Sequence, residues 1–438
     1  MKENQKKSGI CRRDFIENSI AAVAGLGIMG KNNPCDGKAR TLSREPRIKE
    51  YRTLGRTGFK VSDISCGYVN VPEILDRLLD AGVNYIDTAE AYRNEQLIGE
   101  VIKKRDRKKL FITTKIFFKR DQGKRKFLEN ARKCMERLQT DYIDCMMIHE
   151  SPSIEILKVK GFHEAMNELK AEGRIRFLGV SNHGVTWARN QKESMEKVLL
   201  AAAEDGRFDV FLFVYNFLQQ KNGERVLNVC REKKIGVTLM KVNPINHYHW
   251  KKADIESKKK EGKEVTEEEI KYFAKLKEMN TRAESFYKTY NLRNPDEIKG
   301  AAIRFCLNNP DVNTICLTFS NFKHLESYLK ISGTRLSSSE KKKLVIYSNG
   351  FSPLYCRHGC NECESKCPYK IPINTIMRYT HYFQAQGREK YSMRKYAALP
   401  GTNAGRCTTC AGYCEHACPY GVHIQSLLVL AHNTLTLA

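Results

Sequence analysis

Four polar residues stand at or just past the ends of three successive hydrophobic segments. Asp87 and Tyr92 lie in Asn-Tyr-Ile-Asp-Thr-Ala-Glu-Ala-Tyr, Lys115 ends Phe-Ile-Thr-Thr-Lys, and His149 ends Tyr-Ile-Asp-Cys-Met-Met-Ile-His. A lysine that closes a hydrophobic strand is costly to bury unless it is paired, and Asp87 is the available partner. We expect the buried ammonium to lower the pKa of the Tyr92 phenol. Tyr92 could then give its proton to a carbonyl oxygen that His149 orients by a hydrogen bond.

Each of these residues also has an ordinary structural interpretation. Asp87 could cap a helix, Tyr92 could be a loop aromatic, and His149 could be a satisfied core histidine. Because four polar residues fall at the ends of three successive strands, we favour a shared catalytic role.

The elements that must position these residues alternate strand and helix patterns from residue 47 to about 331. The predicted strands are Val61–Cys66, Asn84–Thr88, Leu110–Ile116, Tyr142–His149, Ile175–Ser181, Asp209–Asn216, Gly236–Val242 and Thr314–Thr318. Eight strand-then-helix units predict an α/β fold, a (β/α)8 TIM barrel, followed by a small α-rich, ferredoxin-like iron–sulfur domain. A doubly wound sheet is the alternative for the barrel, but no glycine-rich phosphate turn follows the first strand.

The composition is that of an ordinary globular protein. The chain has 438 residues, 41% hydrophobic and 29% charged, which excludes collagen-like, disordered and membrane-bundle classes. The net charge is +25, but basic and acidic residues alternate and no aromatic–basic RNA signature appears, so we favour a solvated surface over nucleic-acid binding. No apolar run reaches the roughly 18–20 residues that span a bilayer.

Two cysteine motifs near the C-terminus each end in Cys-Pro. Their cysteines are Cys356, Cys360, Cys363 and Cys367 in the first motif and Cys407, Cys410, Cys414 and Cys418 in the second. This is the bacterial ferredoxin arrangement for 4Fe–4S clusters, and the two motifs predict two of them. Zinc remains an alternative because Cys-x2-Cys pairs also bind zinc, and a disulfide knot comes last.

The N-terminal residues have the pattern of an export signal. A basic start, the pair Arg12-Arg13 with Phe15, and an apolar stretch from Ile20 to Met29 resemble a twin-arginine signal. We therefore expect export to the periplasm, with an uncleaved amphipathic N-terminus in a cytoplasmic protein as the alternative. The predicted domains are a signal and linker over 1–46, the barrel over 47–345 and the iron–sulfur domain over 346–438.

Between residues 50 and 331 the sequence resembles the aldo/keto reductase superfamily. The resemblance rests on Tyr-Arg-Thr-Leu-Gly-Arg-Thr-Gly-Phe-Lys-Val-Ser, on Gly82–Gly99 and on Gly-Val-Ser-Asn ending at Asn182. It implies that Asp87, Tyr92, Lys115 and His149 form the catalytic tetrad and that hydride comes from a nicotinamide cofactor across the barrel mouth. It also implies that Ser181 and Asn182 hold the carboxamide and that Tyr215 stacks on the nicotinamide ring.

The cofactor site departs from the family pattern. Leu212 stands where a glutamine is usual, and Thr318, His324 and Tyr328 stand where the adenosine phosphate is normally gripped. NAD and NADP therefore both remain open. The candidates left for that end of the cofactor are Ser320, Asn321 and Lys323.

Aldo/keto reductases with a C-terminal ferredoxin-type module form a subgroup that this chain resembles. By the ferredoxin analogy, one cluster takes Cys356, Cys360, Cys363 and Cys418, and the other takes Cys367, Cys407, Cys410 and Cys414. The leading hypothesis is a redox enzyme that acts on a small carbonyl or alcohol substrate at Tyr92 and exchanges electrons with a partner protein. The alternatives are an electron-transfer or scaffold protein whose barrel has lost this activity, and clusters that are purely structural. Arg93, His183 and Trp187 could line the mouth or be ordinary loop residues.

Overall fold

The computed structural model describes residues 45–116, 122–183, 193–243 and 295–436, with scattered positions between 252 and 289. The predicted signal and Trp187 lie outside these residues. The chain from Glu45 to Ala438 forms one compact unit. Within the described part of the chain, every helix is too short or too polar to cross a membrane.

Eight parallel strands close into a barrel, which confirms the predicted (β/α)8 architecture. Around the barrel the order is β10-β3-β4-β5-β6-β7-β8-β9, and neighbouring strands are parallel throughout. The barrel strands are Ile64–Val69 (β3), Tyr85–Asp87 (β4), Phe111–Ile116 (β5), Ile143–Ile148 (β6), Ile175–Asn182 (β7), Val210–Val214 (β8), Gly236–Met240 (β9) and Thr314–Phe319 (β10). They are buried almost throughout, as parallel strands covered by helices must be.

The first predicted strand is wrong in its bounds. Residues Lys60–Ser62 (β2) pair with Tyr51–Thr53 (β1) in a separate antiparallel sheet, and the barrel strand begins only at Ile64. The buried carboxylate of Asp63 separates the two segments, because it accepts hydrogen bonds from Ser332 Oγ at 2.6 Å and from the Gly333 amide at 2.8 Å. Hydrophobic alternation alone does not reveal this break.

The helices of the barrel bury their apolar faces against the strands. Their bounds are Pro72–Asp80 (α1), Glu95–Ile102 (α2), Lys124–Arg137 (α3), Ile154–Leu157 (α4), Lys160–Ala171 (α5), Met195–Asp205 (α6), Lys221–Glu232 (α7), Pro295–Leu307 (α8) and Phe322–Leu329 (α9). The apolar stripe of α1 is typical: Ile74, Leu75 and Leu78 are buried, and Pro72 begins the helix, where a missing N–H costs nothing.

The last part of the chain packs around an apolar core of its own. Helix Ser338–Phe351 (α10) runs across the predicted domain boundary at 345/346. The C-terminal module, residues 353–436, contains Ile373–Gln386 (α11), Glu389–Ala397 (α12) and Ile424–Leu435 (α13). Ile373, Ile376 and Leu428 belong to its core, and the two cysteine motifs form loops before α11 and α13. The module is α-rich, as the sequence predicts.

The C-terminal module docks on the face of the barrel where the strands end. Gln219, which follows β8, exchanges two hydrogen bonds with the backbone of His358, at 2.5 and 3.1 Å. Arg357 Nε donates to the Leu218 carbonyl at 2.8 Å, and Met195, at the start of α6, donates its amide to the Gly359 carbonyl at 3.0 Å. Sequence reasoning did not assign this position.

Candidate active site

A buried ion pair closes two neighbouring strands. Lys115 of β5 is fully buried, and its Nζ lies 2.6 Å from Asp87 Oδ2 and 2.7 Å from the Thr88 carbonyl oxygen. Asp87 ends β4 and pairs in register with Thr113, two residues before Lys115, so Asp87 and Lys115 point to the same face of the sheet. Burial alone would lower the pKa of Lys115, but the charge of Asp87 raises it above its ordinary value. Lys115 therefore carries its proton.

Tyr92 lies next to this pair, in the short 3-10 helix Glu90–Tyr92. The Lys115 Nζ is 5.0 Å from the centre of the Tyr92 ring, and Tyr68 packs edge-on against that ring at 5.8 Å. The expected low pKa of Tyr92 is wrong. Burial raises the pKa of Tyr92 to about 12, and Lys115 lowers it by less than burial raises it. The phenol is therefore fully protonated at neutral pH, which is the form that a proton donor needs.

His149 completes the group of four. It follows β6 directly, is only 2% exposed, and its ring lies 5.9 Å from the Tyr92 ring at an interplanar angle of 82°. The ring of His183 lies 5.7 Å from that of His149 on the other side. The structure thus brings Asp87, Tyr92, Lys115 and His149 together at the barrel mouth, the place where catalytic groups collect in this fold.

Ser181 and Asn182 end β7 next to His149, and their polar atoms support the backbone there. Ser181 Oγ accepts a hydrogen bond from the Glu150 amide at 3.1 Å and donates one to the Ile148 carbonyl at 3.3 Å. Asn182 Nδ2 donates to the Ser151 carbonyl at 2.8 Å. Both residues are fully buried. In this structure they fix the segment that follows β6.

The ring of Tyr215, which the family resemblance places on the nicotinamide, packs against the helices around the barrel here, so its role in cofactor binding stays a prediction. Its ring stacks on Phe305 of α8 at 5.6 Å, and its hydroxyl lies 3.5 Å from Glu224 of α7. Gly223 leaves room for the ring, because a Cβ there would lie 2.4 Å from a Tyr215 ring atom. Successive strand residues point to opposite faces, and Tyr215 points outward to the helices. Leu212, on the same strand, is buried.

The residues after β10 form a partly exposed turn. Asn321 caps α9 by accepting a hydrogen bond from the His324 amide at 2.9 Å, while Ser320 and Lys323 are exposed. Tyr328 is buried and packs edge-on against Phe319 at 5.6 Å. The start of α9 can attract an anion, as helix N-termini do.

The structure adds residues to the mouth that sequence reasoning missed. Glu150 follows His149, and Lys241 follows β9, so the strand-end rule that identified the tetrad also marks these two. Burial and the charge of Arg378 lower the pKa of Lys241 to about 7. Arg378 comes from α11 of the C-terminal module and is buried, with Nη1 2.7 Å from His358 Nε2. No sequence signal marked Arg378, because it reaches the mouth only through docking.

The eight motif cysteines fall into two groups. Cys360 and Cys363 each interact electrostatically with Cys356 and with Cys418. In the second group, the interacting residues are Cys367, Cys407, Cys410 and Cys414. These are the two sets that the ferredoxin analogy implies.

Two thiols of the first group have hydrogen-bond donors. Asn374 Nδ2 donates to Cys356 Sγ at 3.2 Å, and the Val422 amide donates to Cys418 Sγ at 3.4 Å. Such donors stabilise thiolates.

Outside the motifs, Cys66, Cys134, Cys145, Cys230 and Cys306 are buried, and Cys316 is partly buried.

The closed parallel barrel thus places an ion pair, a phenol and an imidazole together at its mouth. The sequence profile of the aldo/keto reductase family matches residues 58–347. The chain therefore belongs to the aldo/keto reductase family of oxidoreductases, whose members typically use NADP(H).

Individual proteins of known name or structure are similar to different lengths of this chain. Methylglyoxal reductase DkgB of Salmonella typhi is 32% identical over 129 residues, which are 29% of this chain and 45% of that protein. The chain thus spans about half the length of this relative. Aldo-keto reductase YhdN of Bacillus subtilis is 26% identical over 330 residues, 69% of this chain and 95% of that protein. The structure of aldo-keto reductase AKR11C1 from Bacillus halodurans in its holo form is 22% identical, covers 68% of this chain and 95% of its own, and has a TM-score of 0.47.

Proposed function

We propose that this protein reduces a small carbonyl compound, or oxidises the corresponding alcohol, with Tyr92 as the general acid. The observation that carries the proposal is the buried Lys115–Asp87 pair, with Lys115 Nζ 5.0 Å from the Tyr92 ring. A buried cation beside a phenol stabilises the phenolate that forms when the proton leaves.

Each residue of the tetrad has a separate task. Asp87 holds the Lys115 ammonium in place, and Lys115 stabilises negative charge on Tyr92. Tyr92 donates its proton to the substrate oxygen as that oxygen becomes an alkoxide. His149 donates a hydrogen bond that orients the same oxygen. A bound nicotinamide cofactor supplies the hydride.

The C-terminal module fits iron–sulfur clusters better than zinc. Both motifs end in Cys-Pro, as bacterial ferredoxin motifs do, and hydrogen-bond donors reach Cys356 and Cys418, where they would stabilise thiolates. We therefore assign one 4Fe–4S cluster to Cys356, Cys360, Cys363 and Cys418 and a second to Cys367, Cys407, Cys410 and Cys414. Such clusters supply one-electron transfer. An electron-transfer partner protein is part of this proposal.

The substrate class follows from the named relatives. Methylglyoxal reductase and glyoxal reductase are similar to parts of this chain, at 32% and 42% identity. Small 2-oxoaldehydes are therefore the first substrates to test.

Export through a twin-arginine signal is part of the proposal and rests on Arg12, Arg13 and the apolar stretch that follows them. Cell fractionation tests it. The wild type should be periplasmic, and replacing both arginines by lysine should retain the protein in the cytoplasm. A cytoplasmic wild type would contradict it.

A second candidate function is iron–sulfur electron transfer by a chain whose barrel no longer reduces carbonyls. The position of Tyr215 favours it, because the ring expected beside the nicotinamide packs against Phe305 instead.

The experiment that separates the two functions uses protein purified without oxygen, with its clusters intact. If the module binds 4Fe–4S clusters, the protein should absorb at about 400 nm and bleach with dithionite. A colourless protein that contains only zinc would contradict the cluster assignment. NADPH or NADH should quench the intrinsic fluorescence and should be oxidised on addition of methylglyoxal. Failure of both nucleotides at millimolar concentration would support the electron-transfer function instead.

A further inference from the structure

Three side chains with metal-ligating atoms meet beside the catalytic tetrad. One ligand atom each from His149, Glu150 and His183 lies within 4.8 Å of the other two. The first two residues follow β6, and His183 follows β7, so neighbouring strands of the barrel fix all three. Among the residues that the structure describes, this is the one group of histidine, cysteine and carboxylate side chains that is this close.

The donor set and its size suit a divalent transition metal. Imidazole and carboxylate ligands lie about 2.0–2.2 Å from such an ion, so ligand atoms of one site are separated by about 3–4 Å. Two histidines and one carboxylate leave further coordination positions open. Magnesium and calcium prefer oxygen ligands, so two imidazoles disfavour them.

The backbone holds Glu150 in a conformation that the sequence does not favour. Glu150 has φ 53°, in the left-handed region, and is completely buried. Its amide donates to Ser181 Oγ at 3.1 Å, which fixes this turn. A strained residue next to a catalytic one indicates a requirement for that side-chain position.

His183 presents a buried nitrogen. Its Nε2 has no hydrogen-bond partner among the residues that the structure describes. Burying a polar atom in this way is costly unless a ligand compensates, and a metal ion is such a ligand for imidazole.

Lys241 offers a competing explanation for Glu150. Its Nζ lies 3.3 Å from the His183 carbonyl oxygen, and it interacts electrostatically with Glu150. Glu150 could serve only as the counter-charge of Lys241 and Arg378. In that case the cluster would suit an anionic group of a ligand rather than a cation. The two explanations predict opposite effects of removing Lys241, since a nearby cation weakens binding of a second cation and strengthens binding of an anion.

We propose that His149, Glu150 and His183 form a binding site for a divalent first-row transition metal ion at the barrel mouth. The His149 ring lies 5.9 Å from that of Tyr92, so the ion would bind near the proton donor. Metal binding is measured without turnover, so this proposal stands or falls separately from carbonyl reduction.

Equilibrium dialysis of the cluster-containing protein against Zn²⁺, with metal analysis, tests the site. Wild type is compared with Glu150→Gln and His183→Gln, and with Glu90→Gln, a partly buried carboxylate on the loop that carries Tyr92. Zinc bound by thiols is the same in all four proteins and cancels in the comparison. Iron content and thermal unfolding show that each variant is folded.

The expected result is about one more zinc per chain in wild type and Glu90→Gln than in the other two variants, with affinity at least about tenfold higher. Equal zinc content in all four proteins would overturn the proposal. Lys241→Met should bind Zn²⁺ more tightly than wild type. A Zn²⁺ affinity of Lys241→Met no higher than that of wild type would overturn it too.

Discussion

The two halves of the barrel mouth differ in how they use their polar side chains. At the ends of β4–β6, Asp87, Lys115 and His149 lie together around the phenol of Tyr92. At the ends of β7–β10, the residues expected to hold a nucleotide support the protein instead: Asn182 bonds to the backbone, and Tyr215 packs against α8. The C-terminal module docks on this second half.

This difference separates the residues proposed for catalysis from the residues expected to bind the cofactor. A proton donor beside a buried ion pair needs only the ends of adjacent strands, and these are in place. Nucleotide binding needs side chains that face the mouth and a helix N-terminus. In this chain the Tyr215 ring packs against α8, and the C-terminal module docks on this side of the barrel. The predictions below probe the first half, the module and the contact between them.

The largest effect is expected for Tyr92→Phe. Removing the phenolic proton should lower kcat for carbonyl reduction by about 10²–10⁴-fold while leaving the fold intact, because general acid catalysis contributes about that much. The matched control is Tyr68→Phe, since the Tyr68 ring packs on Tyr92 but lies outside the tetrad. Steady-state rates of carbonyl reduction by the two variants distinguish proton donation from a packing role. Equal loss in both would indicate a packing effect rather than proton donation.

Iron content should report how the cysteines are grouped. Cys360→Ala should remove one of two clusters, about half of the iron. Combining it with Cys418→Ala should cost no more iron, because both thiols belong to the same group, whereas combining it with Cys410→Ala should remove nearly all. Cys134→Ala, in α3, is the control. Loss of all iron in the first double variant would contradict the grouping.

The ion pair should matter for stability as well as for chemistry. Lys115→Met leaves the buried carboxylate of Asp87 without its cation and should lower the free energy of unfolding by about 3–5 kcal/mol, and a further Asp87→Leu change should restore much of it. Urea unfolding followed by fluorescence measures both. Full stability in the single variant would show that the pair is not buried as described.

The contribution of the Lys115–Asp87 pair to the free energy of unfolding should depend on pH. The pKa of Lys115 is raised in the folded protein above its ordinary value of about 10.5. Its stabilising contribution should therefore be complete below about pH 10.5 and be lost as the pH rises through the higher folded value. Lys115→Met should lack this alkaline loss.

The smallest effect is expected at the contact between module and barrel. Gln219→Ala removes two hydrogen bonds to the His358 backbone and should cost about 1–3 kcal/mol, seen as faster hydrogen exchange of residues near His358. Gln220→Ala, at an exposed neighbour, should leave this exchange unchanged. Equal exchange in both variants would mean that the contact contributes little.

Sequence patterns predicted the parts of this molecule that depend on local order along the chain. Strand ends mark Lys115 and His149 because a parallel barrel brings all such ends to one face. Cysteine spacing marks the two motifs because the ligands come from short loops. The break at Asp63 and the outward direction of Tyr215 could not be predicted, since each depends on contacts with distant residues, Ser332 in one case and Phe305 in the other.

Docking could not be predicted for the same reason. Arg378 and His358 lie far from Tyr92 in the sequence. Only the folded interface brings them towards Lys241. The sequence likewise suggested that Lys115 would lower the pKa of Tyr92. Lys115 does lower the pKa of Tyr92, but burial raises that pKa by more, and only the fold reveals the burial.

The most direct test of the central proposal is a crystal structure of the protein with intact clusters, a nicotinamide nucleotide and a carbonyl inhibitor. The account predicts that the inhibitor oxygen lies about 3 Å from the Tyr92 hydroxyl, with the nicotinamide ring facing it across the mouth. A nucleotide bound away from the mouth, or an inhibitor out of reach of Tyr92, would contradict it.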